Sequence, residues 1–306
     1  MAQYVEVDDA TEPVAILART MPREAISVNR FVRQVLLDPN FRREGSILAV
    51  EDGAPVAYGL AVARQVPVEG AMPDADRGYL SVMGVLPEAR RRGIGSAILA
   101  RLEEFLRGQG RRTVLAGPYS PGYFQPGVDV DAYPEGLRFL AHHGYTEVYR
   151  PLAMEVPLWN VEIPDWMESK SPGVRLSHDS VAILPKLLAF ARDAFGPDWA
   201  RYVRDSVARQ LDGDRRTGIT TALEGDEVLG FGHFDAERFG PIGVAEKERG
   251  RAIGHRLMFD VLQRQREAGY RVSWFLWSDD RTKARIYEQA GFREVRRFSL
   301  MKKELA

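Results

Sequence analysis

A segment that runs from an apolar strand, through a turn of arginines and glycines, into a long helical run occurs twice in this chain. No other feature limits its possible folds as much. The first copy is Val82-Met83-Gly84-Val85-Leu86-Pro87-Glu88-Ala89-Arg90-Arg91-Arg92-Gly93-Ile94-Gly95-Ser96, continuing towards Gly110. The second, from Phe239 to Leu257, lies 159 residues later, so that Val85 aligns with Val244, Arg90 with Arg249, Gly95 with Gly254 and Gly110 with Gly269. Glycines at a strand-to-helix turn let the backbone approach a ligand closely, and the first free N–H groups of the helix, with the positive end of its dipole, point at an anion. Arginines add fixed positive charge beside it. The order describes a phosphate-binding turn, built twice.

A length of 306 residues suits two domains of about 150 each, in agreement with the repeat. Because each unit carries its own strands and helices, the duplication implies two folded domains rather than a solenoid. With 45% hydrophobic and 28% charged residues, the composition is that of a globular protein. No apolar run approaches the roughly 18 residues of a membrane span, and the first residues lack a basic-then-apolar signal, so a cytoplasmic protein is expected. The absence of cysteine excludes disulfides, thiolate metal sites and a cysteine nucleophile. The five histidines, at 142, 143, 178, 233 and 255, have no His-x-x-x-His spacing, so no metal site is expected. A net charge of −1, from 42 basic and 43 acidic residues, argues against a nucleic-acid surface. The local arginines are aimed at a small anion.

Along the chain, residues 4–7 read as a strand, 11–37 as a helical region interrupted near Met21-Pro22, and 46–50 with 56–62 as a hairpin around an Asp-Gly turn. After the first phosphate turn, Ile98, Leu99, Leu102 and Phe105 fall at helical spacing. Then follow a strand at 113–116, a turn-rich insertion from Pro118 to Pro134 carrying Tyr119, Tyr123, Phe124 and Tyr133, a helix near 135–142, and closing strands within 145–158. The insertion is a candidate lid or specificity element, or the filling of a seam between domains. The second half follows the same itinerary: a strand at 174–176, helices over 179–192 and 199–211, and a hairpin of 219–223 with 228–234. The expected domains are 1–158 and 174–306, joined by a linker at 159–173 whose Trp159 and Trp166 pack against the body.

Arg90, Gly93 and Gly95 match the Gln/Arg-x-x-Gly-x-Gly/Ala signature of the GNAT superfamily of N-acetyltransferases, and Tyr287-Glu288-Gln289-Ala290-Gly291-Phe292 matches its later tyrosine motif. Each half resembles that family, and the whole resembles a tandem duplicate of it. In the second copy Arg249 and Gly254 match, but Ala252 replaces the first glycine. In the first copy Leu140-Ala141-His142-His143-Gly144-Tyr145 lacks the tyrosine. The resemblance implies an α/β (α+β) fold of two tandem domains, each a mixed, mostly antiparallel sheet flanked by helices.

It also implies acetyl-coenzyme A as cofactor. Its pyrophosphate would rest on the backbone of Arg91, Arg92, Gly93, Ile94, Gly95 and Ser96, and in the second copy on that of Gly250, Arg251, Ala252, Ile253, Gly254 and His255. The pantetheine arm would lie along the strands ending at Val85 and Val244. Acetyl transfer to an amine needs a polarised thioester carbonyl, a base and a proton for the departing thiolate. By the motif, Tyr287 is the candidate acid. Candidate bases are His233, Asp235 and Glu237 in the second copy, with Asp76 a weaker one in the first. His233 on an apolar strand also fits a hydrogen-bonded core residue, Asp279-Asp280 fit helix caps, His142-His143 fit a helix end, and Trp274 and Trp277 fit core or pocket lining. The expected acceptor is a small-molecule amine, with neither nucleic acid nor membrane as partner; the oligomeric state stays open. The second copy is the expected catalyst and the first a coenzyme A-binding site, with the reverse assignment close behind. A non-catalytic coenzyme A sensor or scaffold is the alternative. A dinucleotide oxidoreductase is disfavoured, because Ile98 and Leu257 stand where the third glycine of Gly-x-Gly-x-x-Gly would be.

Overall fold

A computed structural model of the chain describes residues 2–67, 74–120, 122 and 124–305. The chain divides into two compact units, one formed by 1–67, 72–151 and 297–306, the other centred on 152–296.

In the first unit β1 (Gln3–Glu6), β2 (Ser46–Glu51), β3 (Ala54–Ala63) and β4 (Arg77–Val85) are antiparallel neighbours in that order, and β5 (Thr113–Ala116) pairs parallel to β4. α1 (Thr11–Thr20) and α2 (Val28–Phe31, continued by a wider-wound turn at Val32–Leu36) lie on one face, and α3 (Ile94–Gly108) on the other. α3 forms where it does because Ile94, Ile98, Leu99, Leu102 and Leu106 make one buried stripe at helical spacing. Two short strands, β6 (Val128–Asp129) and β7 (Thr146–Tyr149), flank α4 (Pro134–His142). Two rings of the insertion belong to the core: Tyr119 and Phe124 are buried with Phe31, Tyr58 and Tyr79 beneath α1 and α2. Those rings have nowhere drier to go, and Arg30 closes over Phe124 and donates to its carbonyl at 3.2 Å. Tyr123 lies outside the described residues.

The second unit repeats the plan. β8 (Leu152–Pro157) and β9 (Val174–Ser177) are its outer strands; between them stand β10 (Thr217–Glu224), β11 (Glu227–Asp235), β12 (Arg238–Val244) and β13 (Val272–Ser278), in the order β9-β10-β11-β12-β13-β8. Only β12 and β13 run parallel. α5 (Leu184–Phe195) and α6 (Pro197–Leu211) cover one face and α7 (Ile253–Glu267) the other. The first of these helices starts later than its sequence pattern predicts. The Asp179 carboxylate accepts the Ala182 N–H at 3.1 Å, a local turn that competes with the helix until Pro185 in the first turn pre-sets its backbone.

The domain boundaries expected from the repeat do not follow the sheets. The last strand, β14 (Arg293–Glu304), carries its residues 297–304 into the first unit, where Met301 faces Ala116 and Glu304 faces Thr113 across an antiparallel pairing with β5. β8, the expected closing strand of the first half, pairs instead with β13, Ser273 opposite Val156 and Phe275 opposite Met154. The edge strands have thus changed places. Both have the same apolar character, so the pattern of hydrophobicity alone does not decide which sheet takes which strand. Residues 159–173 belong to the second unit, with Val161, Met167 and Ser171 buried and the Arg256 guanidinium donating to the Ser171 carbonyl and hydroxyl at 3.3 and 2.9 Å.

The exchanged strand also supplies a charge. Lys303 Nζ meets both carboxylate oxygens of Glu103 on α3 at 2.8 Å, and the Tyr145 hydroxyl donates to the same carboxylate at 3.0 Å. Glu103 is 5% exposed, and removing Lys303 leaves this buried carboxylate with only the more distant Arg107, at 3.6 Å, as a cation. Lys303→Met should destabilise the first unit by about 3 kcal/mol in urea unfolding, and adding Glu103→Gln should recover most of that loss.

Candidate functional site

In both units the parallel pair of central strands starts hydrogen-bonded and then parts. β4 pairs with β5 from Arg77 to Leu80, the last link being the Gly117 N–H to the Leu80 carbonyl at 2.9 Å, and β4 then runs on to Val85. β12 pairs with β13 at Arg238 and Trp274, with the Trp274 N–H donating to the Glu237 carbonyl at 3.0 Å, and runs on to Val244. A bulge falls at the same place in each. Between Leu80 and Val82 the β3–β4 register slips around Ser81, and between Phe239 and Ile242 the β11–β12 register slips around Gly240-Pro241. Proline inside a strand was the signal in the sequence for this irregularity, since it has no N–H to give a ladder.

Each parted strand ends in the arginine turn. Two residues there sit in the left-handed region in each copy: Arg91 (φ 60°) and Gly93 (φ 80°) in the first, Gly250 (φ 91°) and Ala252 (φ 58°) in the second. The backbone is therefore the same, and the copies differ in which of the two positions glycine fills. α3 begins at Ile94 and α7 at Ile253, both buried, with Ala97 N–H to Gly93 carbonyl and Arg256 N–H to Ala252 carbonyl as early helical bonds. The N–H groups before these have no partner within the helix and face outward over the turn.

Most of the arginines brace the turn. Arg90 donates to the Val85 carbonyl at 3.0 Å and pairs with Glu135 at 3.3 Å; Arg92 pairs with Glu51 at 2.9 Å. Arg251 pairs with Glu224 at 2.6 Å and with Glu248, while Arg249, 3.8 Å from Glu246, stays largely exposed. One cross-link recurs in the first helical turn. Ser96 Oγ bonds His143 at 3.0 Å, and its counterpart His255 bonds Gln289 at 2.9 Å. Gly95 and Gly254 sit against Val85 and Val244, where an added Cβ would stand 3.5 and 3.7 Å from the valine methyls.

Tyr287 lies where β12 and β13 part. Its ring is 4.4 Å from that of Phe275 on β13, 6.2 Å from Phe239 on β12 and 5.6 Å from Phe292. Among the described residues nothing takes a hydrogen bond from its hydroxyl, and burial raises the phenol above its ordinary pKa. Phe239 and Phe275 complete this aromatic box; a purely local motif search does not find them, because the strand pairing brings them together. The equivalent position in the first unit is Leu140, a core residue.

The candidate bases are placed differently from one another. His233 is 5% exposed; its Nδ1–H donates to the Gly240 carbonyl at 2.9 Å, leaving Nε2 to accept from the Thr217 hydroxyl at 3.1 Å. Both nitrogens are committed, and burial pushes its pKa down to about 4. It is a satisfied core histidine that holds the bulge. Burial alone would raise the Asp235 carboxyl, but two bonds from Arg209, at 2.8 and 2.9 Å, hold it below its ordinary range. Asp76 pairs with Arg112 at 2.7 Å, and Glu237 is exposed in the turn before β12. Asp279 caps the segment that follows it, accepting the Thr282 N–H at 2.7 Å. Trp274 is half-buried and Trp277 39% exposed. Among the described residues no cluster suits a metal ion, and no helix is long and apolar enough to cross a membrane.

Residues 16–120 match the model of the Acetyltransferase (GNAT) family, and residues 192–301 match that of the Acetyltransferase (GNAT) domain. No curated protein sequence matches the chain. Among solved structures, the GCN5-related glucosamine N-acetyltransferase region of a fungal multi-domain GH3 beta-N-acetylglucosaminidase is similar over 99% of this chain at 16% identity, with a TM-score of 0.82. The chain spans 38% of the length of that protein. A GCN5-related N-acetyltransferase from Sphaerobacter thermophilus is similar at 20% identity, covering 99% of this chain and 95% of its own, with a TM-score of 0.73. A tandem GNAT protein from the clavulanic acid biosynthesis pathway is similar at 18% identity, over 99% and 98% of the two chains, with a TM-score of 0.66. At these identities the likeness is one of fold.

Two outcomes follow from the geometry. His233 has a lower pKa folded than its ordinary 6.5, so it stabilises the fold above pH 6.5, and this contribution, about 3 kcal/mol, is lost as pH falls towards 4; His233→Gln should flatten that part of a stability-against-pH curve. Gly93→Ala should cost about 1 kcal/mol through its positive φ alone, since nothing lies within 4 Å of an added Cβ, whereas Ala252→Gly should stabilise by a smaller amount. Urea midpoints read both.

Proposed function

We propose that this chain, which belongs to the GNAT acetyltransferase family, acetylates a primary amine of a small molecule from acetyl-coenzyme A by direct attack within a ternary complex, and that its second unit performs the chemistry. The observation that carries this reading is the Tyr287 hydroxyl, unengaged among the described residues and set in an aromatic box between β12 and β13.

The cofactor fits the residues present. Around Gly93, Gly250 and Ala252 the backbone turns through left-handed conformations that bring outward-facing N–H groups together at a helix start, and space is open beyond Gly93 and Gly250. Arg91 in the first turn and Arg249 in the second add exposed positive charge. Acetyl-coenzyme A supplies a thioester, whose acyl group passes to the amine nitrogen as the carbon–sulfur bond breaks and the coenzyme leaves as a thiol. Backbone N–H groups along the unpaired edge of β12 polarise the thioester carbonyl, with Pro241 contributing none. Tyr287, kept protonated by burial, delivers its proton to the sulfur as the carbon–sulfur bond breaks, and is reprotonated through solvent by the proton that the attacking nitrogen gives up on becoming an amide. His233 fixes the Gly240 carbonyl and thereby the course of the strand. The base stays with Glu237, acting through water; Asp235 is held by Arg209. The first unit, with Leu140 in place of the tyrosine, binds coenzyme A without turnover.

Tyr287→Phe should lower kcat about 100-fold with little change in the KM for acetyl-coenzyme A, measured by thiol release across an amine panel that includes an amino sugar. Full activity in Tyr287→Phe, lost instead in Arg90→Ala with Gly93→Glu, would move the chemistry to the first unit. Binding of coenzyme A without turnover on any amine would make the protein a sensor.

A further inference from the structure

The second phosphate turn has a neighbour that the first lacks. Residues 165–170 form a short helical turn within the segment between the two repeats, and Arg256 in the first turn of α7 anchors the end of that segment through Ser171 and the Val174 carbonyl. This anchoring places Trp166 against His255, ring centroids 5.7 Å apart at 66°. Lys170 lies over the same indole, its ammonium 4.7 Å from the ring centre. Trp166 keeps 40% of its surface exposed, a high value for a tryptophan held between two partners. In the first unit the residue matching His255 is Ser96, and its partner is His143, just past the end of α4, with residues 2–151 of the sequence containing no tryptophan to match Trp166.

An exposed indole with a cation on its face, next to a turn that receives a pyrophosphate, suits a ligand that carries a planar base and a further phosphate. Coenzyme A carries both beyond its pyrophosphate, as adenine and the ribose 3′-phosphate. On the reading that the second turn binds this cofactor, we infer that Trp166 is the stacking platform for the adenine and Lys170 the partner of the 3′-phosphate. The segment between the repeats is then a nucleotide-reading part of the second site, and the two turns differ in which portion of the cofactor they recognise. The first grips the pyrophosphate alone.

Calorimetric titration of the full chain, with Gly93→Glu closing the first turn so that one site is read, separates the contributions. Three ligands serve as probes: coenzyme A, dephospho-coenzyme A and 4′-phosphopantetheine. Trp166→Ala should weaken coenzyme A and dephospho-coenzyme A about tenfold and leave 4′-phosphopantetheine unchanged, with Trp166→Phe restoring most of the affinity. Lys170→Ala should weaken coenzyme A about tenfold and leave dephospho-coenzyme A unchanged. Unchanged affinity for all three ligands in both variants overturns the inference, as does an equal loss for all three, which marks the segment as a prop for the turn. Failure of the parent to bind coenzyme A at all, with its fold intact by circular dichroism, overturns the cofactor reading beneath it.

Discussion

Two parallel strands that begin paired and then part leave backbone N–H and C=O groups without a strand partner, and such groups must be satisfied by something. In each unit that requirement opens the seam at which we propose that the cofactor binds. The bulges at Ser81 and Gly240-Pro241 mark where the central strand leaves its regular ladder, the arginine turn stands where it ends, and the helix that follows directs its free N–H groups over the opening. Catalytic side chains need only be placed beside it.

The two copies have kept this backbone and diverged in what lines it. A single turn geometry with two left-handed residues is served by Arg91 and Gly93 in one copy and by Gly250 and Ala252 in the other, so neither copy pays the strain of two non-glycine residues there. The aromatic box around Tyr287 has no hydroxyl counterpart at Leu140, which instead packs into the α3 core. Divergence has fallen on side chains at the seam's walls while the left-handed positions of the turn stayed constant.

Much of this was legible in the residues. The duplication, both arginine–glycine turns, the hairpins and the motif position of Tyr287 all rest on local signals: glycine and arginine at fixed spacing, apolar periodicity, an Asp-Gly turn. What escaped was non-local. His233 on an apolar strand is consistent with a base or with a core residue until Thr217 and the Gly240 carbonyl are seen to take both its nitrogens. Tyr119 and Phe124, in a stretch rich in proline and glycine, gave no periodicity to show that they fill the core under α1 and α2. Most of all, 152–157 and 293–304 carry similar apolar alternation, and only the completed sheets reveal that each serves the other half's partner strand.

That exchange has a consequence for how the protein comes into being. A ribosome delivers the chain from its N-terminus, and residues 2–151 emerge long before β14 does. Until then β5 has an open edge, Glu103 on α3 has no Lys303, and Met301 and Leu305 are missing from the core. The second unit, by contrast, holds β8 before any of its other strands has been made. The half of the molecule synthesised first is therefore finished last, and in the interval its exposed strand edge is the surface a chaperone, or another nascent copy, would meet.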